Sequence, residues 1–277
     1  MNSEYLELRA ALNPLYGEGE ARAIAFMVME DVFGLSRTDI YVGKVRQFSE
    51  DERIRLHTMC EQLKAAVPVQ YVLGKEWFDG HEFKVTPAVL IPRPETVELV
   101  EWAAVQKRAS YILDAGTGSG CIAVSLKLRL PEAQVEAWDI SPEALEVARG
   151  NAARLGAEVC FEQHDMLQPW GEDKVFDLIV SNPPYICERE RAEMERHVLE
   201  HEPEGALFVP DDDALLFYRT LAERAVGGAL REGGKLMVEI NSAYGAETVS
   251  LFEKCGLHEV ELRKDGFGND RMVCGTL

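Results

Sequence analysis

The tetrapeptide Asn182-Pro183-Pro184-Tyr185 is the stretch of this chain whose residue types most directly demand a chemical explanation. It follows Phe176-Asp177-Leu178-Ile179-Val180-Ser181, which reads as a buried strand, and open parallel sheets place their sites at strand carboxyl ends. Two consecutive prolines stiffen the loop and carry no N–H donors, so its carbonyls can face a ligand. An amide or aromatic amino nitrogen attacks an electrophile poorly because its lone pair is delocalised. The Asn182 side-chain oxygen and the Pro183 carbonyl can accept both N–H bonds of one NH₂ group, which aims the nitrogen and favours tetrahedral character. Tyr185 would cover the flat group from one side, with Pro184 beside it. A rigid Pro-Pro turn is the competing reading.

A second constellation says what the nitrogen would attack. Asp114-Ala115-Gly116-Thr117-Gly118-Ser119-Gly120 follows a strand and opens a helix, and its glycines let backbone pass close to a ligand. A dinucleotide loop would hold pyrophosphate at that helix N-terminus. Here Cys121 stands where the third glycine of the dinucleotide fingerprint would fall, and Asp114 would repel phosphate. The same acid suits the cationic methionine end of S-adenosyl-L-methionine. Asp139 ends the next strand, where a carboxylate can accept both ribose hydroxyls. Asp165 closes the third strand, placed for an adenine amino group while Met166 packs on the ring. Asn182 borders both ligands. Each piece alone is compatible with a turn or a solvated strand end; the combination at three successive strand ends points to S-adenosyl-L-methionine, released as S-adenosyl-L-homocysteine. No general base is needed before transfer, since the nitrogen becomes acidic only as it is methylated.

The elements that must carry these residues are legible as periodicities. Leu8, Leu12 and Leu15, then Ala21, Ile24, Ala25, Val28, Met29 and Val32, predict two helices, the second stopped by Gly34. Ser49-Glu50-Asp51-Glu52 resembles a capping box opening a third, with Ile54, Leu56, Met59, Cys60 and Leu63 on its apolar side and Pro68 ending it. Trp77 to Val85 reads as two short strands around Asp79-Gly80. Pro92 and Pro94 delay the next helix to Glu95–Val105. Strands are expected at 111–113, 135–138, 159–162, 176–180 and 235–240, and helices at 122–130, 142–155, 214–230 and 245–254. An antiparallel hairpin of 257–263 and 271–275 closes the sheet. Such alternation predicts a mostly parallel sheet covered by helices.

Composition excludes several classes. In 277 residues, 47% hydrophobic and 28% charged content fits a folded soluble protein, and a net charge of −19 speaks against a sequence-independent grip on nucleic acid. The six cysteines lie far apart, without a zinc or disulfide pattern. No run reaches the roughly 18 apolar residues of a membrane helix, and no signal peptide is evident, so a cytoplasmic protein is expected. His197 and His201 share a helix face but lack the glutamate of a zinc motif, and no metal is expected. Asp211-Asp212-Asp213 is expected to cap the helix beginning at Ala214. Nothing beside Cys187 suggests an activated thiolate.

Several segments carry a closer resemblance. Pro68-Val69-Gln70-Tyr71-Val72-Leu73-Gly74, Phe83-Lys84-Val85, Val89-Leu90-Ile91-Pro92-Arg93-Pro94-Glu95-Thr96, the Asn-Pro-Pro-Tyr loop and Glu202-Pro203-Glu204-Gly205-Ala206-Leu207 together resemble the HemK/PrmC family over roughly residues 66–275. That family methylates the glutamine side chain of the Gly-Gly-Gln motif in peptide chain release factors. The resemblance implies a Rossmann-like class I methyltransferase domain (93–277) with a seven-stranded, mostly parallel sheet. A helical substrate-recognition domain (1–74) and a β-hairpin linker (75–92) would precede it. It implies that Asn182 and the Pro183 carbonyl hold the glutamine amide beside Tyr185, and that Arg93 and Glu95 wall the pocket. It also implies release factors as partners of a monomeric enzyme that does not bind nucleic acid directly. Val97 stands where a second Glu is frequent, Asn241 where Gly is usual in Glu-Ile-Gly, and Val209-Pro210-Asp211 replaces a glycine-containing segment. An adenine N6 or guanine N2 methyltransferase acting on nucleic acid is the alternative reading. A cofactor-binding protein without turnover is a third.

Overall fold

Asn2 opens the first helix: its side-chain oxygen accepts the Tyr5 N–H at 3.0 Å, satisfying a donor that the helix itself leaves free. In the computed structural model, which describes residues 1–43, 48–106, 109–171 and 174–277, the two expected N-terminal helices are one run, α1 (Ser3–Phe33). It is kinked at Gly17, whose φ of 74° leaves the helical region. Leu8 and Leu12 are buried, but Leu15, two residues before the kink, is exposed. Gly34, at φ 64°, closes α1 as expected.

Ser36 then forms a capping box with Asp39 and opens a short α2 (Arg37–Val42) that periodicity missed. The Ser49–Glu52 box starts α3 (Glu50–Lys64) as expected. Only Met59 and Leu63 of its apolar set are buried; Ile54 is exposed. Pro68 does not end that helix but caps the next, α4 (Val69–Leu73). Tyr5, Leu12, Ile24, Val28, Met29 and Leu63 form the core of this part, and the Tyr16 hydroxyl ties α1 to α3 by donating to the Leu63 carbonyl at 2.6 Å.

The chain separates into two compact units, Met1–Lys75 with Glu195–His201, and Glu76–Met194 with Glu202–Leu277. In the second, β1 (Lys75–Phe78) and β2 (His81–Lys84) pair around Asp79 and Gly80, both at positive φ. Then come α5 (Pro94–Ala104), β3 (Tyr111–Ala115), α6 (Cys121–Arg129), β4 (Gln134–Asp139), α7 (Pro142–Leu155), β5 (Val159–Gln163) and β6 (Phe176–Ser181). A two-residue strand, β7 (Ile186–Cys187), precedes α8 (Arg196–His201), which groups with the first unit. β8 (Phe208–Val209), α9 (Leu216–Arg224), β9 (Leu230–Glu239), α10 (Gly245–Cys255), β10 (His258–Lys264) and β11 (Asp270–Thr276) complete the chain. The helix expected over 214–230 is shorter because Gly228, at φ 117°, turns the chain and releases Leu230 into β9. Asp213 does not cap α9; its carboxylate pairs with both Arg219 terminal nitrogens at 2.7 Å.

The main sheet has seven strands in the order β10-β11-β9-β6-β3-β4-β5. The strands β9, β6, β3, β4 and β5 run parallel, and β11 is antiparallel to both neighbours. Strand alternation sends Ile112, Leu178, Val180 and Met237 into the core beneath α5 to α7. Leu113, Ile179, Leu236 and Val238 go to the opposite core, beneath α9 and α10. With both faces covered, the strand ends are what remains for a site. The chain leaves β3 towards β4 and β5, then returns on the other side to β6 and β9. The switch point therefore lies between β3 and β6.

One buried side chain fastens the β1–β2 hairpin to this frame. Asn151 on α7 accepts the Lys84 N–H at 2.7 Å and donates to the Lys84 and Ser119 carbonyls, both at 2.9 Å. Asn151→Ala should leave these groups without partners and cost roughly 1–3 kcal/mol. Urea denaturation should show a lower midpoint with an unchanged slope; an unchanged midpoint would remove Asn151 from this role.

Candidate functional site

The loop from β3 to α6 passes through three left-handed glycines, Gly116, Gly118 and Gly120, at φ 79°, 54° and 82°. Its shape is held from two sides. The Gly116 and Thr117 N–H groups both donate to the Trp138 carbonyl at the end of β4, at 2.9 and 2.8 Å. Beneath the loop, one Asp114 oxygen accepts the Thr117 hydroxyl at 2.6 Å and the Ala123 N–H at 3.1 Å, while the other oxygen has no protein partner. Asp114 is fully buried, and burial pushes its carboxyl up to about 7. A Cβ at Gly116 would lie 2.9 Å from the Met166 methyl, so a bare backbone is needed for that close approach.

Asp139 ends β4. One carboxylate oxygen accepts the Gly118 N–H at 2.8 Å and the other the Ser141 N–H at 2.9 Å, leaving lone pairs on each. Burial raises this carboxyl above its ordinary value, against those backbone bonds. Asp165 lies two residues past β5, where one oxygen accepts the Leu167 N–H at 2.9 Å.

Asn182 follows β6 directly. Its side-chain NH₂ donates to the Thr96 hydroxyl at 3.3 Å, and that hydroxyl donates to Glu239 at 2.6 Å. Glu239 is buried at the end of β9, and its other oxygen accepts the Tyr185 hydroxyl at 3.3 Å. Burial raises the Glu239 carboxyl, with Thr96, Arg271 and Tyr185 opposing the shift. The Tyr185 and Ile186 N–H groups share the Leu207 carbonyl at 3.2 and 2.9 Å, and the Asn241 side chain donates to the Tyr185 carbonyl at 3.2 Å. Arg93 is paired at 2.7 Å with Glu202, whose other oxygen accepts the Ile91 N–H.

These pieces surround one cavity of about 510 Å³. Gly116, Thr117, Gly118, Ser119, Asp139, Asp165, Met166, Asn182, Pro184 and Arg93 line it, with Thr96, His164 and Phe217. Asp114, Gly120, Pro183, Tyr185 and Glu95 do not: Asp114 supports the loop from below, and the Tyr185 hydroxyl turns to Glu239. Sequence reasoning missed Glu239 as a site residue because its two partners come from α5 and from the loop after β6, far away in the chain. Thr96 enters that reasoning only within the segment that carries the resemblance. The donor set tests the ligand: Asp139, Asp165 and Glu143 line the cavity, whereas its Arg93 is already paired with a buried acid. An acidic, partly apolar chamber rejects pyrophosphate and fits a cationic nucleoside with hydroxyl donors.

Comparison with known proteins agrees with this chemistry. The model of the methyltransferase small domain matches residues 98–204, and that of the PrmC N-terminal domain matches residues 7–74. The release factor glutamine methyltransferase of Bacteroides thetaiotaomicron is 44% identical over 99% of both chains. The chain belongs to that family. The Bacillus subtilis member is 40% identical over 93% of this chain and 92% of its own. Among solved structures, a methyltransferase from Pyrococcus furiosus shares the fold at TM-score 0.53 and 18% identity, covering 82% of this chain and 98% of that one. Membership makes the chain an S-adenosyl-L-methionine-dependent methyltransferase. The acidic chamber beside a glycine loop is a fit for that donor. Among the described residues no helix is long and apolar enough to cross a membrane.

The raised Asp114 carboxyl has a thermodynamic consequence. Between its ordinary value of 3.8 and about 7, the folded chain binds a proton that the unfolded chain releases. The stability it contributes is therefore present at the acid end of this window and lost as pH rises through about 7. Asp114→Asn, which keeps the acceptor, should flatten that fall by on the order of a few kcal/mol. Urea unfolding of the donor-free protein between pH 5 and 8 checks this; identical slopes would assign the titration elsewhere.

Proposed function

We propose that the chain transfers a methyl group to the side-chain amide nitrogen of the glutamine in the Gly-Gly-Gln motif of peptide chain release factors. It would act in the cytoplasm and thereby modulate translation termination. The observation that carries the reading is Asn182-Pro183-Pro184 entering from β6 beside the acidic chamber, in a chain 44% identical to a release factor glutamine methyltransferase. In this reading the PrmC-like N-terminal region, 1–74, grips the protein substrate.

When bound, S-adenosyl-L-methionine supplies an electrophilic methyl group and leaves as S-adenosyl-L-homocysteine. Asp139 accepts the ribose hydroxyls, Asp165 faces the adenine amino group, and Met166 packs on the ring beside Gly116. The Asn182 side-chain oxygen and the Pro183 carbonyl each accept one N–H of the glutamine amide, holding its nitrogen in line for attack. These acceptors gain strength as the amide N–H bonds become more acidic, so they stabilise the transition state more than the bound substrate. Pro184 and Arg93 line the chamber, and Tyr185 flanks the amide.

Asn182→Ala should abolish transfer to a release factor, measured by mass spectrometry of its Gly-Gly-Gln peptide, with donor affinity kept within a few-fold by calorimetry. Near-normal turnover would remove the amide-holding role, and label found only in nucleic acid would overturn the substrate. Asp139→Ala should weaken donor binding by about 10- to 100-fold, the value of a hydrogen bond to a charged group. Unchanged calorimetric affinity would take Asp139 out of the donor site.

A further inference from the structure

A side-chain amide has two ends of nearly equal size, and only one of them can accept a hydrogen bond. If Asn182 is to accept an N–H from a glutamine amide, its oxygen must face the chamber. The other rotamer presents NH₂ to NH₂ and repels the substrate. The Asn-Pro-Pro-Tyr loop does not itself make that choice.

Thr96 and Glu239 can make it. The Thr96 hydroxyl has a single hydrogen, and Glu239 lies 2.6 Å away with its second oxygen accepting from Tyr185 at 3.3 Å. The Thr96 hydroxyl donates to that carboxyl group, so its hydrogen is committed there. What remains towards Asn182, at 3.3 Å, is a lone pair, and only the NH₂ end of Asn182 can satisfy that. Thr96 and Glu239 are both nearly inaccessible, at 2% and 1%, so water does not compete for these bonds. We propose that Thr96 and Glu239 are positioning residues that set the polarity of the Asn182 amide, turning its oxygen to the substrate. This rests on the proposed glutamine chemistry, and it adds two residues from α5 and β9 to a site built at the end of β6.

A double-mutant cycle with Asn182→Asp separates this from a merely structural role, because an aspartate has oxygens at both ends and no polarity to set. In the wild-type background Thr96→Val should lower kcat at least tenfold, leave the KM for the methyl donor within twofold, and be rescued by Thr96→Ser. In the Asn182→Asp background, whose lower activity is the reference, the same change should cost nothing or raise kcat, since it removes a lone pair facing a carboxylate. Equal losses in both backgrounds, or wild-type kcat for Thr96→Val, overturn the proposal. A readout without substrate guards against a wrong acceptor. The Asn182 side-chain NH₂ signal in ¹⁵N NMR should shift in Thr96→Val and return in Thr96→Ser. If the wild-type enzyme does not methylate a release factor glutamine, the substrate reading fails on its own. An Asn182 signal indifferent to Thr96 then overturns the positioning role independently.

Discussion

A carboxylate buried at the end of β9 organises the reaction side of this molecule. An isolated buried charge is too costly to persist, so donors must be brought to Glu239 as the chain folds. They come from two other segments: the Thr96 hydroxyl from the first turn of α5, and the Tyr185 hydroxyl from the loop after β6. Arg271, at the start of β11, adds a favourable charge. Satisfying one acid therefore pins together the segments that must agree in position if an amide is to be held against a methyl donor. Removing one partner leaves a buried polar group unsatisfied at its full desolvation cost.

The donor side follows a different logic, in which backbone does the holding. Trp138 offers one carbonyl to two successive N–H groups of the glycine loop, and Asp139 takes the next. The loop is thus fastened to the end of β4 before any ligand arrives, and left-handed glycines are what allow this path. Asp114 completes the support from below through Thr117 and Ala123. The acid that looked from its position like a ligand group is under the loop instead. The loop's openness to a ligand and the acid's burial are two sides of one constraint, since a backbone pressed against a chamber must be propped from behind.

Much of this was legible from residue order, and the reason is local. Strand, glycine loop and helix are successive in the chain, so Gly116 to Gly120 and Asp139 could be placed at strand ends from local order, and Asp165 within two residues of one. The sheet, its closing hairpin and the Ser49–Glu52 capping box have short-range signatures of the same kind. What could not be read depends on contacts distant in sequence. Leu15 and Ile54 fit helical spacing yet face outward, because packing against segments distant in sequence chooses the buried face. Asp211 to Asp213 look like a cap, yet Asp213 is taken by Arg219 six residues on. Glu239 has no local signature, since its meaning comes from α5 and the reaction loop.

Asn241 shows how a departure from a family pattern is absorbed. It follows Glu239-Ile240 directly, at the position where the family resemblance leads one to expect glycine. Its side-chain oxygen accepts the Ala243 N–H at 3.0 Å, and its NH₂ reaches the Tyr185 carbonyl at 3.2 Å and both Glu190 oxygens at 3.2 and 3.3 Å. Asn241 sits at φ −64°, ordinary for any residue, so the position does not require glycine here. A glycine would leave the Tyr185 carbonyl to find another donor; asparagine supplies one from the strand end that also carries Glu239. Tyr185 is thereby held at both ends, its carbonyl by Asn241 and its hydroxyl by Glu239. Asn241 thus adds a bond to the loop that presents Asn182.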